Sequence, residues 1–99
     1  MFGLIGKMTS TSGHRDELIT ILLDGSQHMP GCLSYIVAKD SDDHDAIWVT
    51  EVWDTRESHQ ASLTLPSVRA AIERAMPLVA NFHPSVETEP VRGVGLPDR

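Results

Sequence analysis

Ala46-Ile47-Trp48-Val49-Thr50-Glu51-Val52-Trp53 is the stretch on which the fold turns. Its β-branched and aromatic residues fit a pleated strand. Strand side chains alternate between faces, so Glu51 and Trp53 share one side and Trp48 points to the other. Upstream, Asp40-Ser41-Asp42-Asp43-His44-Asp45 is a polar loop that closes a hairpin onto a second strand, Cys32-Leu33-Ser34-Tyr35-Ile36-Val37-Ala38. Met29-Pro30-Gly31 supplies the turn before that strand.

Working outward, Phe2 to Met8 reads as a first strand, and Thr9 to Gly13 as turn material in which Thr11 or Ser12 caps a helix. Asp16 and Glu17 lie in that helix's first turn, where the helix dipole favours negative charge. Leu18, Ile19, Leu22 and Leu23 recur at helical spacing and predict its apolar stripe, with an end near Gly25 to His28. After Trp53, Asp54 or Thr55 caps a second helical region, with Glu57 in its first turn. Pro66 divides this region into a helix over 56–63 and another over 67–76, the latter with Val68, Ala71, Ile72 and Ala75 as its apolar face. Leu78-Val79-Ala80 is expected to add a turn of helix, and Pro84 to Val91 to supply the fourth strand, its two prolines marking an edge.

The resulting order is βαββαβ, the ferredoxin-like α+β arrangement, in one domain over residues 1–92 followed by a short tail over 93–99. Helices cover one face of such a sheet only. A tryptophan on the other face is costly to leave in water, so a homodimer packed through the sheet is expected.

Composition excludes several classes of function. With 99 residues there is little room for a second domain. A net charge of −6, with eight dispersed basic residues, disfavours nucleic acid and anionic membranes as partners. No segment is apolar and long enough to span a bilayer. The N-terminus reads as a strand rather than a secretion signal, and Cys32 is alone, which together give a cytoplasmic expectation.

Met29 to Tyr35, followed after the hairpin by Trp48-Val49-Thr50-Glu51-Val52-Trp53-Asp54 and then by Ala61-Ser62-Leu63-Thr64-Leu65-Pro66-Ser67-Val68, resembles the antibiotic biosynthesis monooxygenase family. The resemblance covers roughly residues 1–92. It implies a dimeric α+β barrel of two face-to-face sheets. The family's best-understood members oxidise polycyclic phenols or quinols with O2, using neither metal nor flavin, and quinol monooxygenases are the nearest functional model. An electron-rich phenolate can itself reduce oxygen, so the protein's task is to bind the ring, assist deprotonation and exclude bulk water. Trp53 matches the family's pocket tryptophan, and Glu51 its acidic neighbour. Two positions depart: the family's second-helix histidine falls at Ser62, and a pocket asparagine of some members falls near Val49. The haem-degrading branch is disfavoured, because its iron-ligand and asparagine positions read Leu63 (or Ser62) and Ile5 or Gly6.

The candidate site follows. Glu51 is either a base for a phenolic proton or one half of an ion pair with Arg69, Arg74 or a partner subunit. His59 is the alternative base, or else an exposed residue beside Arg56 and Gln60. Trp53 stacks on a planar aromatic substrate, or forms core. Tyr35 orients a substrate oxygen, Ser62 and Leu63 line the binding site, and Leu4, Leu22, Leu63 and Ile72 form dry walls. His28 and His83 are placed near the rim or on solvent. Asp42, Asp43, His44 and Asp45 read as a solvated turn rather than a metal site, and Gly93-Val94-Gly95 lacks the context of a dinucleotide loop. No cofactor is expected. The rival reading is a non-catalytic binder of small hydrophobic molecules, or an accessory dimeric protein.

Overall fold

A computed structural model of the chain describes residues 1–97, so residues 98 and 99 of the expected tail lie outside the described residues. The chain runs β1 (Phe2–Ser10), α1 (Arg15–Gly25), β2 (Cys32–Lys39), β3 (Ala46–Trp53), α2 (Arg56–Ser62), α3 (Pro66–Ala75), a 3-10 turn (Met76–Leu78), β4 (Val79–Phe82) and β5 (Val86–Thr88). β3 pairs antiparallel with β2 on one side and with β1 on the other. The order β2-β3-β1-β4 is that of a ferredoxin-like sheet, as the sequence pattern implies.

The fourth strand is the main correction. It begins at Val79, not Pro84, and it comes in two pieces that share the far side of β1. β4 pairs with Met8 to Ser10, and β5 with Gly3 to Ile5. Between them His83 N–H still donates to the Lys7 carbonyl at 3.0 Å, and Pro84, with no N–H, ends the first run. The turn of helix expected over 78–80 is a 3-10 turn that ends at Leu78, where Val79 already has extended backbone. β1 also runs two residues past Met8 to Ser10, because β4 and the hairpin loop give its end partners: Ser10 N–H donates to the Asp45 carbonyl at 2.7 Å.

The alternation of β3 sets the layers. Ile47, Val49 and Trp53 are buried under the helices, and Trp48 and Thr50 are exposed on the opposite face. Leu18 and Ile21 of α1, Ile47 and Val49 of β3, and Ala71 and Ala75 of α3 form the core cluster. The stripe on α1 is rotated from the expected one: Ile21 is buried, while Leu23 is 45% exposed. Residues i, i+3 and i+7 (Leu18, Ile21 and Gly25) face α3. A Cβ at Gly25 would collide with that of Ala71, so glycine lets the two helices approach this closely.

Capping also differs from expectation. The cap position of α1 is His14, which gives no side-chain cap, and Thr11 Oγ1 lies 3.0 Å from the His14 ring nitrogen Nδ1 instead of capping the helix. Thr55 is the cap of α2, with Oγ1 accepting from Ser58 N–H at 3.1 Å. In the hairpin loop, Asp40 Oδ1 accepts from the N–H groups of Asp42 and Asp43, and Arg15 Nη1 donates to the Asp43 carbonyl at 2.8 Å. The acidic loop is thus a turn tied to α1. Among the described residues, no group of three or more His, Cys, Asp or Glu is placed to hold a metal ion, and no helix is long and apolar enough to cross a membrane.

Candidate functional site

A cavity of about 270 Å³ lies between the helices and the covered face of the sheet. An apolar cavity of about 150 Å³ admits one benzene ring, so this one is on the order of two fused rings in capacity. Met8, Leu22, Met29, Ala71 and Ala75 line its interior side, while Leu63, Ile72, Met76 and Phe82 are exposed large apolar residues on the same wall. Against this apolar lining the polar side chains are few: Tyr35, Glu51, His59, Ser62 and Ser26.

β3 and β2 place two of them side by side. Glu51 and Tyr35 are direct cross-strand partners, so their side chains leave the sheet together. Burial pushes the Glu51 carboxyl above its ordinary value, and this outweighs two opposing influences, the hydrogen bond from Trp53 and the charge of His59. The Tyr35 hydroxyl is also pushed up, first by burial, then by the Glu51 charge and by Cys32. Cys32 is raised for the same first two reasons. Tyr35 therefore remains a hydrogen-bond donor, and Glu51 is the acid on the wall whose hold on a proton burial strengthens.

Of the two readings of Glu51, the ion pair with Arg69 or Arg74 is not formed within the chain. Its Oε1 instead accepts from Trp53 Nε1 at 3.1 Å. Trp53 is fully buried and does not line the cavity. Its ring stands behind the wall, with His59 packed edge-on against it at 5.4 Å between centroids and Phe2 completing the stack at 5.5 Å from His59. Trp53 thus fixes the orientation of both titratable groups, one through its N–H and the other through its ring. The α2 cap at Thr55 sets the helix phase that brings His59 and Ser62, three residues apart, toward the cavity. The Ser62 hydroxyl donates to the His59 carbonyl at 2.6 Å.

Of the residues expected from the sequence, Tyr35, Glu51, His59, Ser62 and Leu63 meet at one cavity, together with Leu22 and Ile72. Leu4 faces the same side as its pairing partner Glu51 but is not on the wall. His83 is engaged with Thr9, its Nε2 lying 3.0 Å from Oγ1, and His28 is exposed; neither lines the cavity. Sequence reasoning missed Met8, Met29, Met76 and Phe82. Alternation along β1 was the one available signal, for Met8; Met29 lies in the turn before β2, and Met76 and Phe82 follow from the 3-10 turn and β4, which the sequence did not reveal.

A helix-backed antiparallel sheet enclosing an apolar cavity with one shielded carboxylate defines a ferredoxin-like α+β domain with room for a small molecule. The sequence pattern of the family described as antibiotic biosynthesis monooxygenase matches residues 1–74, and the chain belongs to that family. A crystal structure from Chloroflexus aurantiacus J-10-fl that carries the family's name is 58% identical, with 97% of this chain and 98% of that one covered at a TM-score of 0.94. A second, from Deinococcus radiodurans, is 24% identical over 95% of this chain and 96% of that one, with a TM-score of 0.77. Rv0793 from Mycobacterium tuberculosis, 14% identical over 94% and 97% of the two chains, has the same fold at a TM-score of 0.78. No curated protein matches the chain.

Proposed function

We propose that the chain is a cofactor-independent monooxygenase that oxidises a phenolic or quinol-type aromatic with O2. The observation that carries this reading is Glu51, a carboxylate raised in pKa by burial, held by the Trp53 indole, and facing an apolar cavity. Glu51 takes the phenolic proton, with His59 beside it as the alternative acceptor. Tyr35 donates to a ring oxygen, and Trp53 acts as the positioning residue behind both. The resulting phenolate donates electrons to O2. At the ring carbon opposite the phenolic oxygen a new carbon–oxygen double bond forms, that carbon's C–H bond and the phenolic O–H bond are broken, and the second oxygen atom leaves as water with the two protons. The apolar wall keeps bulk water from the reactive intermediate.

Two features extend this reading to a homodimer. The outer face of the sheet carries Ile5, Ile36, Trp48 and Val86, of which Ile36 and Val86 are 56% and 57% exposed. In register, Ile36, Thr50, Ile5 and Val86 form one rung across four strands, a surface suited to a second copy. Light scattering is expected to give about twice the 10.9 kDa chain mass; the mass of one chain would remove the dimer.

A second reading, a non-catalytic binder of small hydrophobic molecules, is favoured by Ser62 and Val49 standing where the resemblance places a histidine and an asparagine. The Ser62 hydroxyl is already engaged with the His59 carbonyl. Oxygen uptake with a panel of quinols and anthrones separates the two. Uptake above buffer autoxidation, reduced about 100-fold or more in Glu51→Gln, is expected of a general base. Ligand binding without any such uptake would leave the binder.

A further inference from the structure

The cavity wall is electrostatically one-sided. Among the described residues it carries one acidic side chain, Glu51, and neither lysine nor arginine; His59 is the one basic residue among them. Among the described residues, the groups around Glu51 supply no lysine or arginine charge either. Tyr35 and Cys32 face it from β2, His59 from α2 and Trp53 from its own strand, and β1 pairs Leu4 with it. The nearest arginine on α2, Arg56, makes a two-pronged bond to Glu87 of β5, both at 2.9 Å. Arg69 and Arg74 of α3 are exposed and off the wall. Beyond the site, the whole chain has a net charge of −6.

We propose that the cavity holds one negative charge at a time, so that Glu51 restricts its ligands to uncharged or amine-bearing ring compounds and turns aryl carboxylates away. This rests on the reading of the cavity as the ligand site. A neutral phenol respects the limit throughout: when its proton passes to Glu51, the phenolate carries the single charge and the carboxyl becomes neutral. An aryl carboxylate brings a second charge alongside the first, in a setting where apolar walls screen poorly and no lysine or arginine among the described residues of the wall compensates. A ring ammonium gains where the carboxylate loses.

The test is titration calorimetry at pH 7.5 with three probes of one two-ring shape: 2-naphthol, 2-naphthylmethylamine and 2-naphthoate. The naphthol and the amine are expected to bind, and the naphthoate about tenfold or more weakly than the naphthol. In Glu51→Gln the naphthol-to-naphthoate ratio is expected to fall toward one. Equal binding of naphthol and naphthoate to the wild type overturns the proposal, as does an unchanged ratio in a folded Glu51→Gln. If none of the three binds, the ligand-site reading itself falls, and this proposal with it. The wild-type ratio decides the matter alone should the variant not fold.

Discussion

On β3 the indoles of Trp48 and Trp53 each donate to a carboxylate: Asp40 Oδ2 at 2.7 Å on the open face, and Glu51 Oε1 at 3.1 Å on the helix side. The bond is the same, yet the acids move in opposite directions. Asp40 is brought down to about 2, first by the Asp42 N–H, then by the Trp48 indole and the Asp43 N–H. Glu51 goes up, because loss of water around its charge exceeds what one indole returns. Lys7 adds to the contrast: its ammonium lies 3.8 Å from Asp40 and 5.3 Å from the centroid of the Trp48 ring, a support with no lysine or arginine equivalent among the described residues of the cavity wall. One indole hydrogen bond therefore does not by itself set the acidity of a carboxyl: further N–H donors carry Asp40 down, and loss of solvent carries Glu51 up.

The sharpest way to break this comparison is to remove each ring. Trp53→Ala empties a fully buried site and is expected to destabilise the fold by about 3–5 kcal/mol in urea melts. Trp48→Ala, at a residue 38% exposed, is expected to cost about 1 kcal/mol or less in dilute protein. Equal losses would show that the two faces are not the unlike environments described above.

The next test concerns pH. Glu51 has a folded-state value above the ordinary 4.5, so the folded chain binds its proton more tightly than the unfolded chain does. Above the raised value both states are ionised and the buried charge penalises folding in full. That penalty is relieved as pH falls through the raised value and is gone below about 4.5. Glu51→Gln is therefore expected to stabilise the protein at pH 8, by a margin that shrinks as pH falls toward 4.5. A margin that does not change with pH would refute the buried-charge account. Asp40 has the opposite sign, since its contribution is present above 3.8 and is lost as pH falls through about 2.

The smallest effect expected is a partial one. Trp48→Phe removes the second-ranked cause of the low Asp40 value but leaves the backbone donors. Its carboxyl, followed by NMR titration, should rise from about 2 part of the way toward 3.8. No movement would mean that the loop backbone alone holds it.

The two faces were legible in the sequence to different degrees. Alternation over Ala46 to Trp53 reveals both, and with the hairpin and helical spacings it yields the topology. It also brings Glu51, Tyr35, His59, Ser62 and Leu63 into one site. Depth was not legible. Nothing in Glu51-Val52-Trp53 tells a ring that touches ligand from one standing behind the wall, because that depends on Phe2 and His59, distant in sequence. The phase of α1 was misjudged for a similar reason: Ile21 and Leu23 are equally apolar, and only the closeness of Ala71 to Gly25 decides between them. Val79 to Phe82 follows a proline-bearing 3-10 turn and has no strand pattern of its own; pairing with β1 makes it one.

The broken fourth strand has a consequence for how the protein behaves in a crowded solution. A sheet edge with a long row of free N–H and C=O groups invites another chain to add on and seed aggregates. Here that edge offers only runs of four and three residues, separated by His83, Pro84 and Ser85. Pro84 contributes no donor, and β4 and β5 cannot present a continuous ladder to a stranger. The interruption between β4 and β5 thus guards this side of the sheet against growing.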